Sequence, residues 1–209
     1  MTEEMGLFDA IYHSRAMRRL KPDPVPEELL LKLIDAGNQA PSGSNAQNGR
    51  WIVVRDPDVK QRLAVLNKEA VTRYAGGFRA DIPGQDAGKR QRMLDAVMWQ
   101  ADHMAEAPAL IIACLEFGGE PPDRFSVGAG AGGSIWPGVQ NLLLAARALG
   151  LGAAPTTLGL SNREAAKETL ALPPTIEPFC LIPVGWPMGK FGPVTRRPTQ
   201  EIMRWDRWS

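Results

Sequence analysis

Four short apolar runs alternate with stretches of helical periodicity, and that alternation limits this chain to a layered fold. Ala109 to Glu116 reads Ala-Leu-Ile-Ile-Ala-Cys-Leu-Glu, short and apolar, the pattern of a buried strand. Arg50 to Arg55, with Trp51, Ile52, Val53 and Val54, is a second, and Ala153 to Thr157 and Phe179 to Val184 are the other two. Elsewhere apolar residues recur at three- and four-residue spacing. That spacing predicts helices over Leu7 to Arg19, Pro26 to Ala40, Asp58 to Ala70, Arg90 to Ala107, Ser134 to Leu149, and from Ser161 or Asn162 to Leu172. Helices interleaved with four strands imply an α/β or α+β layered domain.

The 209 residues suit one compact domain spanning 1–209, and 44% hydrophobic against 22% charged residues allows a sizeable core. A net charge of +1 offers no bulk attraction to nucleic acid or to an acidic membrane, so neither is expected as a partner. Cys114 and Cys180 lie inside apolar runs and read as buried, inert thiols in a reducing, cytoplasmic setting. No run approaches the roughly 18 apolar residues of a membrane span, and the start Met-Thr-Glu-Glu-Met lacks a signal-peptide core.

Breaks between elements are legible from backbone chemistry. Lys21-Pro22-Asp23-Pro24 stops the first helix, and Pro26 suits the first turn of the second. Gly150 is placed as a left-handed cap on the helix carrying Val139, Leu142, Leu143, Ala146 and Leu149. Ala145 and Ala146 would let another helix approach closely. Residues 74–89 and 117–133 read as long surface excursions, and Trp205 and Trp208 imply that the tail packs on something.

Most familiar chemistries find no support. Gly128-x-Gly130-x-x-Gly133 matches a dinucleotide fingerprint, but the preceding strand ends near Glu116 and no acidic residue follows at the required distance. Only His13 and His103 are present, without a metal-binding spacing, and no nucleophile elbow or phosphate loop occurs, so no metal is expected. His103 reads first as a partly buried structural histidine.

The connector Ala40-Pro-Ser-Gly-Ser-Asn-Ala-Gln47 carries more hydrogen-bonding groups than a plain loop needs. Arg15 and Arg18, at i and i+3, share a face of the predicted first helix, and Arg196 and Arg197 follow the last strand. A solvated basic helix end would explain the first pair alone. Fixed cations beside a polar loop also suit a planar ligand that is anionic at one end, such as a flavin mononucleotide.

In order along the chain these pieces resemble the FMN-dependent nitroreductase family. The resemblance rests on Arg15-Ala16-Met17-Arg18 and Lys21-Pro22-Asp23-Pro24-Val25-Pro26, then Ala40-Pro41-Ser42 with Asn45 and Gln47. It continues through Gln140-Asn141-Leu142-Leu143-Leu144-Ala145-Ala146, Leu149-Gly150-Leu151-Gly152, Ile182-Pro183-Val184-Gly185, Arg196-Arg197-Pro198 and Trp205-Asp206. It implies an α+β fold, a three-layer α/β/α sandwich around a mixed, mostly antiparallel sheet.

It further implies bound FMN, with NAD(P)H giving hydride to flavin N5 and a small-molecule acceptor (nitroaromatic, quinone or activated alkene) then taking it in a ping-pong cycle. No side chain need act as a catalytic acid. Arg15, Arg18 and Arg196, with Arg197 as alternate, match the phosphate-holding positions; Ala16 stands where the family usually has serine. Pro41, Ser42, Ser44, Asn45 and Gln47, together with Ser134, match groups that reach the flavin from a neighbouring subunit. Asn48-Gly49 replaces the usual Pro-Trp after that loop. Pro155, Thr156, Thr157 and Leu158 match the segment whose N–H meets N5, and Gln100 and His103 fall where polar groups face the ring. A homodimer sharing two flavins follows, with Leu142 to Leu149 and the tryptophan tail as contact surfaces. Alternatives within the resemblance are reductive dehalogenation, flavin fragmentation, or flavin binding without turnover. Neither NADH nor NADPH is singled out, since Arg73, Arg79 and Arg90 are merely basic and near the 74–89 loop.

Overall fold

The computed structural model describes residues 5–79, 81–82, 86–119, 121 and 132–208. In chain order the elements are α1 (Leu7–His13), α2 (Glu27–Asn38), β1 (Gly49–Val54), α3 (Pro57–Gly76), α4 (Ala87–His103), β2 (Ala109–Glu116), α5 (Trp136–Ala148), β3 (Gly152–Ala153), α6 (Arg163–Thr169), β4 (Ile176–Gly185) and α7 (Thr199–Ile202). The strands form one sheet in the order β1-β2-β4-β3. Helices cover both faces, as the expected α+β sandwich requires. Every strand pairing among the described residues is antiparallel, so the parallel part of a mixed sheet has no counterpart there.

β2 shows why the sheet needs two covering layers. Side chains alternate along a strand, so Ala109, Ile111, Ala113 and Leu115 meet Leu30 and Leu33 of α2 and Val139, Leu142 and Ala146 of α5. Leu110, Ile112 and Cys114 face the other way, under Leu63 and Ala64 of α3 and Ala166 of α6. Each fully buried leucine or isoleucine contributes roughly 1.5–3 kcal/mol. A bulge shifts the register, Ala113 pairing with Cys180 but Cys114 with Pro178, so Phe179 and Cys180 both join the α2–α5 side. Both cysteines are free and buried, and burial pushes each thiol pKa up to about 12.

Helix ends follow local chemistry. Asp56 accepts from the N–H groups of Asp58 and Val59, both at 2.9 Å, with Pro57 opening α3. Asp86 caps α4 through the Lys89 N–H at 2.8 Å, and Asn162, one of two candidates, caps α6. Gly150 takes φ +75° and closes α5 as expected.

Several expectations need correction. α2 and α5 approach closely at Gly37 and Gly138, where an added Gly138 Cβ would lie 2.8 Å from the Gly37 carbonyl oxygen, and Ala146 packs in the same cluster as Leu30 and Leu33 of α2. Within the expected contact surface Leu142 to Leu149, Leu142 and Ala146 are core, 0% and 1% exposed, while Leu143, Leu144, Ala145 and Leu149 are half-buried and Ala148 is exposed. Trp205 and Trp208 are 81% and 79% exposed, so the tail finds no cover within one protomer. α3 continues to Gly76, which shortens the excursion before α4; residues 80 and 83–85 of it lie outside the described residues, as do 120 and 122–131 of the other excursion, including Gly128 and Gly130. No helix among the described residues is long and apolar enough to cross a membrane.

The largest correction concerns the first helix, which ends at His13 and not Arg19. Ser14 is already extended (φ −75°, ψ 116°), the Met17 N–H donates to the Ala153 carbonyl at 3.1 Å, and Leu20 bridges Pro187. Pairing with the sheet's edge outweighs local helix propensity over residues 14–20. Arg15 and Arg18 therefore lie on an extended strap.

Candidate functional site

Backbone hydrogen bonds lay the two ends of the chain side by side. Lys21 N–H donates to the Trp186 carbonyl at 2.8 Å, Met188 N–H to that of Arg19 at 3.0 Å, and Val194 N–H to that of Tyr12 at 2.9 Å. The segment after β4 thus runs along the strap after α1 and delivers Arg196 to Arg15.

Two adjoining cavities result. The first, of ≈ 420 Å³, is lined by Arg15, Ala16, Gln140, Arg147, Pro155, Phe191 and Arg196 among others, and has the size of a cofactor site. The second, of ≈ 570 Å³, brings Arg15, Arg18 and Arg196 together beside α4. Among the described residues, no aspartate or glutamate lines either. Among the described residues, none of Arg15, Arg18, Arg147 and Arg196 pairs with a carboxylate. Burial lowers the Arg18 pKa, although an arginine remains charged at any physiological pH. Clustered cations without counter-charge, Arg18 among them partly desolvated, favour an incoming anion.

Arg147 was not singled out in the sequence. It sits in the last turn of α5, where the helix dipole already explains a basic residue. The fold turns it inward: its Nε is buried without a hydrogen-bond partner, and its guanidinium carbon lies 4.2 Å from the Phe191 ring centroid. Only the tertiary structure reveals this, since no spacing in α5 distinguishes an inward from a solvated arginine.

The other expected residues divide. Pro155 lines the first cavity. In the segment after it, Thr156 N–H is bound to the Leu181 carbonyl at 2.8 Å and Leu158 N–H to Thr156 Oγ at 3.2 Å; Thr157 N–H has no acceptor among the described residues. Ser42, Gln47 and Ser134 meet in a separate small cleft with Trp51 and Gly138. There Ser134 Oγ accepts from Gly43 N–H and Ser42 Oγ from Gln47 N–H, each at 3.0 Å. Ser44, Asn45 and Gln47 have φ of 51°, 52° and 47°, a left-handed backbone that side chains rarely adopt, and Pro41, Ser44, Asn45 and Gln47 are exposed. None of these loop residues lines the arginine cavities.

Gln100, His103 and Arg197 do not line those cavities either. Gln100 is buried with its Nε2 unpartnered. His103 stacks on Trp99 with centroids 4.1 Å apart and donates Nδ1–H to the Trp99 carbonyl at 2.9 Å, the geometry of a structural histidine.

Residues 11–186 match the sequence model of the Nitroreductase family. The chain is 31% identical over 198 residues to a NADH dehydrogenase of Thermus thermophilus, covering 91% of each. It is 28% identical over 183 residues to an iodotyrosine deiodinase of Thermotoga neapolitana, covering 87% of this chain and 88% of that one. It also superposes on oxidized iodotyrosine deiodinase bound to FMN and 3-iodo-L-tyrosine with a TM-score of 0.74 at 25% identity, over 97% of this chain and 100% of that chain. Arg196 lies beyond the matched residues 11–186, and only the fold joins it to Arg15.

Proposed function

The chain belongs to the nitroreductase family of oxidoreductases, and from that premise we propose that it binds FMN and passes hydride from NAD(P)H to an organic acceptor by a ping-pong cycle. One observation carries the reading: three cations from opposite ends of the chain, Arg15, Arg18 and Arg196, line one cavity with no carboxylate beside them among the described residues. Guanidinium groups match a phosphate monoester in charge and planar geometry. Ala16 itself offers that subsite no hydroxyl.

FMN, when bound, supplies the two-electron relay between donor and acceptor. The chain's own residues bind and orient it. Arg15, Arg18 and Arg196 hold the phosphate, Pro155 walls the ring, Thr157 N–H is free to donate to a ring nitrogen, and Arg147 offers a cation to an electron-rich ring edge. The loop of Pro41, Ser42, Ser44, Asn45 and Gln47, with Ser134, is the proposed contribution of one copy to its partner's flavin in a homodimer. The exposed Trp205 and Trp208 are the proposed cover for the same contact. Residues 1–209 act as one flavin-binding domain.

Spectroscopy tests this directly. Denatured protein should release FMN, anaerobic NADPH or NADH should bleach the bound flavin, and double-reciprocal plots with an acceptor should be parallel. Protein that neither retains nor binds FMN refutes the reading. Reductive dehalogenation is the second reading, favoured by the similarity to the deiodinases. Iodide release from 3-iodo-L-tyrosine by the reduced protein would select it.

A further inference from the structure

Three guanidinium groups suffice for one phosphate monoester, yet the cavity they line continues onto α4, where Lys89 and Arg92 join it. These two stand at i and i+3, on one helix face. Neither is in an ion pair among the described residues. Asp86 caps α4 through Lys89 N–H at 2.8 Å and its carboxylate also acts on both cations, while Asp95 accepts from Gln91 Nε2 at 2.9 Å. The neighbouring cavity of ≈ 340 Å³ adds Arg19 and Lys190, with Asp95 as the one acid in its lining.

The basic residues that sequence proximity suggests for this role are used elsewhere. Arg79 pairs with Asp81 at 3.4 Å, while Arg90 donates to the Arg79 carbonyl at 2.9 Å and stacks 4.8 Å over Phe78. Arg73 lines none of the three cavities.

We propose that Lys89 and Arg92 form a second phosphate subsite that takes the 2′-phosphate of NADPH, so that the protein distinguishes NADPH from NADH. The inference rests on the flavin reading above. Its chemistry follows from charge and place. A terminal monoester carries nearly two charges at neutral pH and matches two neighbouring cations, whereas a carboxylate or a diester phosphate carries one. Both side chains are exposed at the outer rim. The ring-side and α4-side cavities share Arg15, Ala16, Val194 and Arg196. Lys89 and Arg92 open from the same cavity as the flavin-phosphate subsite, and that is the proposed place for the adenosine end of a dinucleotide lying over the bound flavin.

The test uses flavin-loaded protein and two readouts. Calorimetry compares adenosine 2′,5′-bisphosphate with 5′-AMP, and steady-state kinetics compare NADPH with NADH, for wild type and for Lys89→Ala/Arg92→Ala. Wild type should bind the 2′-phosphorylated nucleotide about ten-fold or more tightly than AMP, as two charge-assisted contacts predict. The double variant should erase that difference and raise KM for NADPH about ten-fold, with KM for NADH and flavin content unchanged. Equal binding of the two nucleotides by wild type overturns the proposal, as does a parallel loss with both donors. A protein without flavin, or one reduced by neither donor, instead refutes the flavin reading, and the calorimetric comparison still decides whether the subsite exists.

Discussion

Arg196→Ala separates a cofactor-binding role from a structural one. In the protein alone Arg196 is exposed and, among the described residues, its Nη1 donates only to the neighbouring Thr195 carbonyl, at 2.9 Å. Losing such a side chain should change apoprotein stability by less than about 0.5 kcal/mol, which is about 1–2 °C in Tm for a chain of this size. Against a phosphate the same group contributes a charge-assisted contact worth about 1.5–3 kcal/mol. Solvent exposure places it near the lower figure, so FMN should bind about ten-fold more weakly. Arg15 and Arg18 remain, so binding should weaken and not vanish. Quenching of flavin fluorescence during titration of the apoprotein gives the affinity, and scanning fluorimetry gives Tm. Riboflavin, which lacks the phosphate, is the control: its affinity should not change. High salt should shrink the difference between wild type and variant. Equal weakening for FMN and riboflavin, or a Tm loss of several degrees with unchanged FMN affinity, would refute the argument.

Arg147→Met keeps the apolar stem and removes the buried Nε, so it should weaken riboflavin and FMN alike by about ten-fold; an effect on FMN alone would assign Arg147 to the phosphate. Gly138→Ala places a Cβ 2.8 Å from the Gly37 carbonyl oxygen and should cost about 1–3 kcal/mol as α2 and α5 part; an unchanged denaturation midpoint would contradict the tight crossing. The buried thiols set an alkaline limit. With each folded thiol raised to about 12, the unfolded chain loses its thiol protons first. Their contribution is intact below the unfolded thiol pKa near 8.5 and falls from there towards pH 12, by up to about 1.4 kcal/mol per unit per thiol. Denaturant melts at pH 8 and pH 10.5 should therefore diverge less in Cys114→Ala than in wild type; identical divergence would mean that Cys114 does not titrate on unfolding.

How much was legible depends on how local the cause is. The bounds of β2, Ala109–Glu116, match the sequence reading because a short, unbroken apolar run carries its own signal. Gly150, Asn162 and the buried cysteines were readable for the same reason, since caps and thiol burial depend on immediate neighbours. Arg15, Arg18 and Arg196 were picked out by residue type and order, but on the wrong scaffold. A helix was expected where an extended strap forms, because the Ala153, Trp186 and Pro187 contacts that hold it lie far along the chain.

The order of residues determined the elements, their apolar faces and the chemical kind of group that could bind, because periodicity, capping and charge are properties of adjacent positions. Tertiary structure alone decided that Arg147 turns inward, that His103 stacks on Trp99 and does not line the arginine cavities, and that the 41–47 loop lines neither arginine cavity. Those outcomes depend on which distant segments pack together, and packing is settled by the whole core at once.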